Sequence, residues 1–279
     1  MNEIGVVISR YHEDLRWVER IKAPLDIYIY NRQQVVGKPT MGIDASFGTP
    51  VPTHKDKNDI GNLNIETVKN NGINLNIIDM EDDAGFEVST FLYHFWTKYD
   101  SLNDFTVCLQ ARERGHIGTP FGDTDIQTLL NNPEQLKHTK FVPRHPGPGL
   151  LPANRIIVEE CIEFEYLCDR FGWWDVIDNF EYNWSIYKND WSKTPWLSLE
   201  CFKELAKIKW PPDAHNFGAG QQFMVSKKRV LKHSPSYYKE MQDFVNSYMD
   251  PLPNRPGHPS IEQLNQGPNI IEAFWHHVF

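Results

Sequence analysis

The sequence predicts an α/β fold: a mixed, mostly parallel sheet flanked by helices, leading into an irregular, aromatic-rich second half. Three observations carry that expectation. Unbroken apolar runs at 4–9 (IGVVIS), 25–30 (LDIYIY) and 105–110 (FTVCLQ) have the length and composition of strands buried on both faces. The first two lie close enough together for a β-α-β unit, which implies a parallel pair with a right-handed crossover. Strand-like and helix-like text then alternates until about residue 125, after which the regularity stops.

The elements follow in order. After the first strand, acidic Glu13 and Asp14 suit the positive end of a helix, and an amphipathic stretch runs to Arg20. Residues 32–71 hold Gly, Pro, Thr, Asn and mixed charge with little periodicity, and read as a long loop or lid. A strand is expected at 73–78. Beyond it Val88, Phe91, Leu92, Phe95, Trp96 and Tyr99 recur at intervals of three and four, the clearest helix in the chain. Residues 141–153 form a Pro/Gly-rich loop, and 159–171 look helical. Ser198 can cap a helix to Lys207, and 217–226 (FGAGQQFMVS) reads as a Gly-kinked turn into a strand. Ser234-Pro235 is a cap and first-turn pair for a helix to Tyr248, and 270–279 is a short final helix.

Composition narrows the function classes. The chain has 279 residues, 40% of them hydrophobic and 23% charged, enough for a large core. Its 28 basic residues against 37 acidic give a net charge of −9, which argues against bulk nucleic-acid binding. No apolar run is long enough to span a membrane, and the start (MNEI) has no signal-peptide pattern. Cys108, Cys161, Cys168 and Cys201 lack metal or disulfide-scaffold spacing and read as reduced core thiols of a cytoplasmic protein.

In open α/β sheets, ligands bind beyond the carboxyl ends of the strands. Four strand ends therefore hold the candidates. At the first, Arg10 offers a planar fork to an anion beside Tyr11, His12, Glu13 and Asp14, which read equally as an ordinary helix start. The second begins at Asn31. The third holds Asp79, Glu81, Asp82 and Asp83, either acids favoured by a helix N-terminus or a carboxylate that accepts from a base or ribose hydroxyl. The fourth runs from Gln110 through Arg112, Arg114 and His116. Sugar-nucleotide enzymes often carry a D-x-D there, where a divalent ion such as Mn or Mg bridges the carboxylates and the diphosphate. This chain has Gln-Ala-Arg, and its nearest D-x-D is Asp123-Thr124-Asp125. Either Asp123 and Asp125 hold the ion, or Arg112, Arg114 and His116 neutralise a leaving diphosphate directly, the reading slightly preferred.

Residues 172–197 hold Trp173, Trp174, Trp184, Trp191 and Trp196, which suit either a stacking platform for sugars or an aromatic core. Gly218-Ala219-Gly220 lacks the third glycine of a dinucleotide fingerprint and precedes a strand, so a Rossmann cofactor site is rejected. P-loop, HExxH, GxSxG and kinase signatures do not occur.

Several segments, in order, carry a resemblance: SRYHEDLRW (9–17), IYN (29–31), GFEVSTFLYH (85–94), YDSLNDFTVCLQ (99–110), GQQFMVS (220–226) and EAFWHHVF (272–279). Together they resemble the glycosyltransferase A-fold. They are most similar to a family, known as a domain of unknown function in fungi, algae and large viruses, whose members are regarded as glycosyltransferases. The chain departs from that family at Phe86, where the family has arginine, and over 111–125. The resemblance implies one domain over 1–279, with a nucleotide-sugar half at 1–125 and an acceptor half at 126–279. With the strand-end argument, it makes Arg10, Tyr11, Asn31, Asp79, Asp83, Glu87 and Gln110 the expected lining of the donor site, and the strand-end argument alone adds Arg112, Arg114 and His116. By position, Glu272 or, second, Asp213 matches the acid that acts as general base. The chain also looks like the capsid-glycan glycosyltransferases of chlorella-infecting giant viruses. That implies inverting transfer from a UDP-sugar, UDP-xylose first, to a glycan hydroxyl, a fucose first, in the host cytoplasm. The alternatives are a carbohydrate-binding protein without catalysis and a metal-dependent hydrolase using Asp79, Asp82, Asp123 and Asp125.

Overall fold

The computed structural model describes residues 2–11, 13–33, 60–81, 86–111, 126–133, 161–163, 167–168, 205, 217–218, 223–247, 250–251, 263–264, 271 and 278. The strands are β1 (Ile4–Arg10), β2 (Asp26–Gln33), β3 (Asn74–Glu81), β4 (Phe105–Gln110), β5 (Cys161–Glu163), β6 (Leu167–Cys168), β7 (Phe217–Gly218), β8 (Phe223–Ser226), β9 (Asp250–Pro251) and β10 (Gln263–Leu264). The helices are α1 (Ile65–Asn70), α2 (Phe86–Thr97), α3 (Ile126–Leu130), α4 (Lys227–Val230) and α5 (Pro235–Ser247), with 3-10 turns at Arg16–Arg20 and Tyr99–Ser101.

Six strands make one sheet in the order β3-β2-β1-β4-β8-β5. The first four are parallel, β8 runs antiparallel to β4, and β5 runs antiparallel to β8. The chain thus builds outward from β1 through β2 to β3, then returns to place β4 on the other side of β1. That reversal between β1 and β4 is the topological switch point of the sheet. The fold is α/β, with a mixed, mostly parallel sheet, and β5 and β8 from the second half complete it.

The strand pleat sorts side chains into two cores. Val7, Tyr28, Tyr30, Cys108, Phe223 and Val225 face α2 and α5, meeting Val88, Phe91, Leu92, Phe95, Met241 and Val245. Their neighbours Val6, Ile8, Ile27, Ile29, Val107, Leu109 and Met224 face the other way, onto Leu15, Val18, Val68 and Leu130. Both faces are covered, which explains why the strands read as continuous apolar runs rather than alternating ones. At the amino ends, buried Asp26 fastens neighbouring segments. It accepts from Asn2 Nδ2 at 2.9 Å, Asn74 Nδ2 at 3.2 Å and Asn103 Nδ2 at 2.6 Å.

Several expectations are corrected. The amphipathic stretch to Arg20 is not an α-helix, and only Arg16–Arg20 winds, as a 3-10 turn. The Glu13 carbonyl already accepts from Arg10, and the Leu15 N–H donates to Gly61, so backbone groups a longer helix needs are engaged elsewhere. The loop read over 32–71 contains α1, capped by Asn64, whose Oδ1 accepts from the Thr67 N–H at 3.0 Å. Its tip, 34–59, lies outside the described residues. β3 continues to Glu81, paired with Gln33, so Asp79 is a strand residue rather than a helix-start acid. Within the helix read at 159–171, the described residues are β5 and β6 instead, whose pairing with β8 and β7 overrides a local helical pattern. Within 198–207, Leu205 is helical. The cap and helix at Ser234-Pro235 hold, with the Tyr237 N–H donating to Ser234 Oγ at 3.3 Å. Cys108 is buried in β4, while the side chains of Cys161, Cys168 and Cys201 lie outside the described residues. Among the described residues no helix is long and apolar enough to cross a membrane.

Candidate functional site

The carboxyl ends of the four parallel strands turn from apolar to polar on both faces of the sheet. On the α1 side, the apolar row Ile8–Ile29–Ile77 is followed two residues later by Arg10–Asn31–Asp79, in register across β1, β2 and β3. The three side chains form a chain of hydrogen bonds. Arg10 Nη1 donates to Asn31 Oδ1 at 2.7 Å, and Asn31 Nδ2 donates to Asp79 Oδ1 at 3.1 Å. Arg10 Nε donates to the Glu13 carbonyl at 2.8 Å, and Glu13 Oε2 accepts from the Tyr11 N–H at 2.8 Å. Arg10 is 0% exposed and Asn31 1%, whereas Asp79 is exposed. The turn at Gly61 closes over this corner, with φ at +67°, and its Cα lies so close that a Cβ there would sit 2.7 Å from Arg10 Nε.

On the α2 side the polar row lies one residue earlier. Gln110, Ser9 and Tyr30 are in register across β4, β1 and β2. Each meets a residue of α2, in steps of three and four along the helix. Gln110 Nε2 donates to Glu87 Oε1 at 2.6 Å, Ser9 Oγ donates to Thr90 Oγ1 at 3.0 Å, and the Tyr30 hydroxyl lies 2.9 Å from His94 Nδ1. This seam fixes α2 over the strand ends. His94 is wholly enclosed, and burial lowers its pKa to about 3, so the ring is neutral at ordinary pH. Burial likewise raises the Tyr30 hydroxyl well above its ordinary value. At the switch point, Ser9 joins the β1 and β4 ends through its carbonyl, which accepts from the Ala111 N–H at 3.1 Å. Trp17 Nε1 donates to the Ala111 carbonyl at 2.9 Å, so the residue leading out of β4 is held from both sides.

Of the residues expected at the site, the structure brings Arg10, Tyr11, Asn31, Asp79, Glu87 and Gln110 to this one end of the sheet. It separates them by face: Arg10, Asn31 and Asp79 on one, Glu87 and Gln110 on the other. Arg10 is not an open anion fork. Its burial and its bonds to Asn31 and Glu13 make it a brace for the corner. Asp83, Arg112, Arg114, His116, Asp123, Asp125, Asp213 and Glu272 lie outside the described residues, as does the tryptophan cluster at 172–197. Ile271, next to Glu272, is buried in the core on the α2 side. Among the described residues no three His, Cys, Asp or Glu side chains gather as a metal site. Asp123 and Asp125, the carboxylates expected to hold a divalent ion, lie outside the described residues.

Comparison with protein-family models, with curated proteins and with solved structures returns no match for this chain.

Four participants escaped sequence reasoning: Ser9, Thr90, His94 and Gly61. A signal for two of them was present. Glu87, Thr90 and His94 make a polar line at i, i+3 and i+7 on an otherwise apolar helix, the spacing of one helical face. Gly61 had no such signal, because its role depends on a contact with Arg10 across a long sequence separation.

Proposed function

We propose that this protein is a glycosyltransferase of the A-fold type, moving a sugar from a UDP-sugar to a hydroxyl of a glycan. The observation that supports it best is the switch point between β1 and β4, flanked by polar rows where a nucleotide-binding α/β sheet takes its ligand. Asp79, exposed at the end of β3 and oriented by Asn31, offers a carboxylate to a ribose hydroxyl or base N–H. Arg10 holds Asn31, and through it Asp79, in that posture. The diphosphate is assigned to Arg112, Arg114 and His116 in the segment that leaves β4. A manganese or magnesium ion, if Asp123 and Asp125 hold one, would supply further positive charge to the leaving group.

The reaction is read as inverting. Glu272, with Asp213 as second choice, takes the proton of the acceptor hydroxyl as that oxygen attacks the anomeric carbon from the face opposite the diphosphate. The C–O bond to the diphosphate breaks and UDP leaves. UDP-xylose is the first choice of donor, and a fucose of a capsid N-glycan the first choice of acceptor, both on the sequence resemblance.

The test is UDP release with and without acceptor glycan, in the wild type and two variants. Glu272→Gln is expected to abolish transfer while UDP-xylose still binds. Asp79→Ala is expected to weaken UDP binding about tenfold, the loss of one or two hydrogen bonds to a charged acceptor. Undiminished transfer by Glu272→Gln removes that residue from the mechanism, and unchanged UDP affinity in Asp79→Ala removes β3 from the nucleotide site.

A further inference from the structure

We propose that Gln110, locked by Glu87, binds a hydroxyl of the sugar being transferred; this rests on the sugar-nucleotide reading above. Gln110 is the last residue of β4, paired with Ser9 of β1 at the switch point. Its amide can point only one way. Nε2 donates to the Glu87 carboxylate at 2.6 Å, and turning the amide over would set two oxygen acceptors against each other. Glu87 therefore fixes which atom of Gln110 is offered to a ligand, and that atom is the carbonyl Oε1.

Oε1 accepts no hydrogen bond among the described residues, although the side chain is only 6% exposed. A buried carbonyl left unpaired costs free energy that a ligand donor would recover. The rest of the seam does not supply that donor, for Ser9 is bonded to Thr90 and Tyr30 to His94. The seam's other unpaired atom, His94 Nε2, is enclosed by the rings of Tyr28, Tyr30 and Phe95 and is core rather than site.

The chemistry of the pair selects among the parts of a UDP-sugar. A carbonyl beside a carboxylate repels phosphate oxygens, which carry no proton to give at neutral pH. It welcomes a hydroxyl. Asp79, the acceptor proposed for the nucleoside, projects from the opposite face of the sheet, so the two acceptors would take different parts of the donor. A site that requires a hydroxyl rejects the analogue lacking it, which makes Gln110 a specificity determinant rather than a generic contact.

The experiment is isothermal titration of the full chain with UDP, UDP-xylose, UDP-glucose and the singly deoxygenated analogues of UDP-xylose. The wild type is expected to bind UDP-xylose more tightly than UDP, and to lose about tenfold for one of the deoxygenated analogues. Gln110→Met, close in volume but unable to accept, is expected to lose that discrimination while its UDP affinity is unchanged. Glu87→Gln, which unlocks the amide, is expected to blunt it. If UDP binds but no deoxygenated analogue is weaker than UDP-xylose, the inference is overturned and the transferase reading stands. The same follows if Gln110→Met discriminates as well as the wild type, or loses UDP and UDP-xylose affinity in parallel. If the wild type binds no uridine compound, both fall. The wild-type series alone decides the matter should Gln110→Met not fold.

Discussion

Arg10, Asp26 and His94 each bury a titratable group, and each is accommodated differently. Arg10 donates to Asn31 and to the Glu13 carbonyl. Asp26 is surrounded by amide donors from Asn2, Asn74 and Asn103. His94 gives up its charge: desolvation holds it neutral down to about pH 3, against an ordinary value of 6.5. The unfolded chain therefore binds one more proton than the folded chain between those two values, and stability falls as pH is lowered through that window. The contribution of this single group is at most about 1.4 kcal/mol per pH unit. His94→Gln, which can still accept from Tyr30, is expected to flatten the dependence of urea-unfolding free energy on pH below 6.5. A variant with the same slope as the wild type would show that His94 is not the group responsible. At this scale the sequence exposed residue types at strand ends, Arg10, Asn31, Asp79 and Gln110 among them. It did not expose which would be buried, because Arg10 becomes a brace only through partners at Asn31 and Gly61.

Among the elements, the long runs were readable and the short ones were not. β1, β2 and β4 are continuous apolar runs because both faces are covered, and α2 and α5 have a full apolar stripe, so each carries its own signal. α1 and α3, at six and five residues, are too short to show a period; α1 exists through its Asn64 cap, and both through docking of Val68 and Leu130 in the core. β5 exists because β8 offers it an edge, which no local pattern announces. The turn before α1 shows the same dependence on context. Gly61 and Gly72 both have positive φ, +67° and +81°, but a Cβ at Gly61 would strike the Glu13 carbonyl and Arg10, while at Gly72 nothing lies within 4 Å. Gly72→Ala is expected to cost only the backbone term, about 1 kcal/mol. Gly61→Ala adds a steric conflict with backbone and is expected to cost about 3 kcal/mol or more, read from the shift of a urea midpoint at constant slope. Equal losses would mean that the corner over Arg10 yields freely.

Among the described residues the sheet has an apolar core on each face and a polar carboxyl end. The Arg10–Asn31–Asp79 row and the Gln110–Ser9–Tyr30 row occupy neighbouring registers on opposite faces; the first ends beside the switch point and the second crosses it. That convergence follows from the strand order, which the β-α-β spacing foreshadowed but did not contain: the placement of β4 beside β1, and of β8 beyond it, is a tertiary fact. The general base, Glu272 or Asp213, comes from the sequence resemblance alone, and the diphosphate side chains Arg112, Arg114 and His116 come from their place after the β4 strand end. The central claim is that this polar end binds a sugar nucleotide, and ligand binding to the native state raises its melting temperature by mass action. The most direct measurement is therefore a thermal-shift series with UDP, UDP-xylose, other UDP-sugars, and GDP- and CMP-sugars, each with manganese and with chelator. The account predicts a rise with UDP and a larger one with a single UDP-sugar, UDP-xylose first. No shift with any uridine compound, in the presence or absence of manganese, would contradict it.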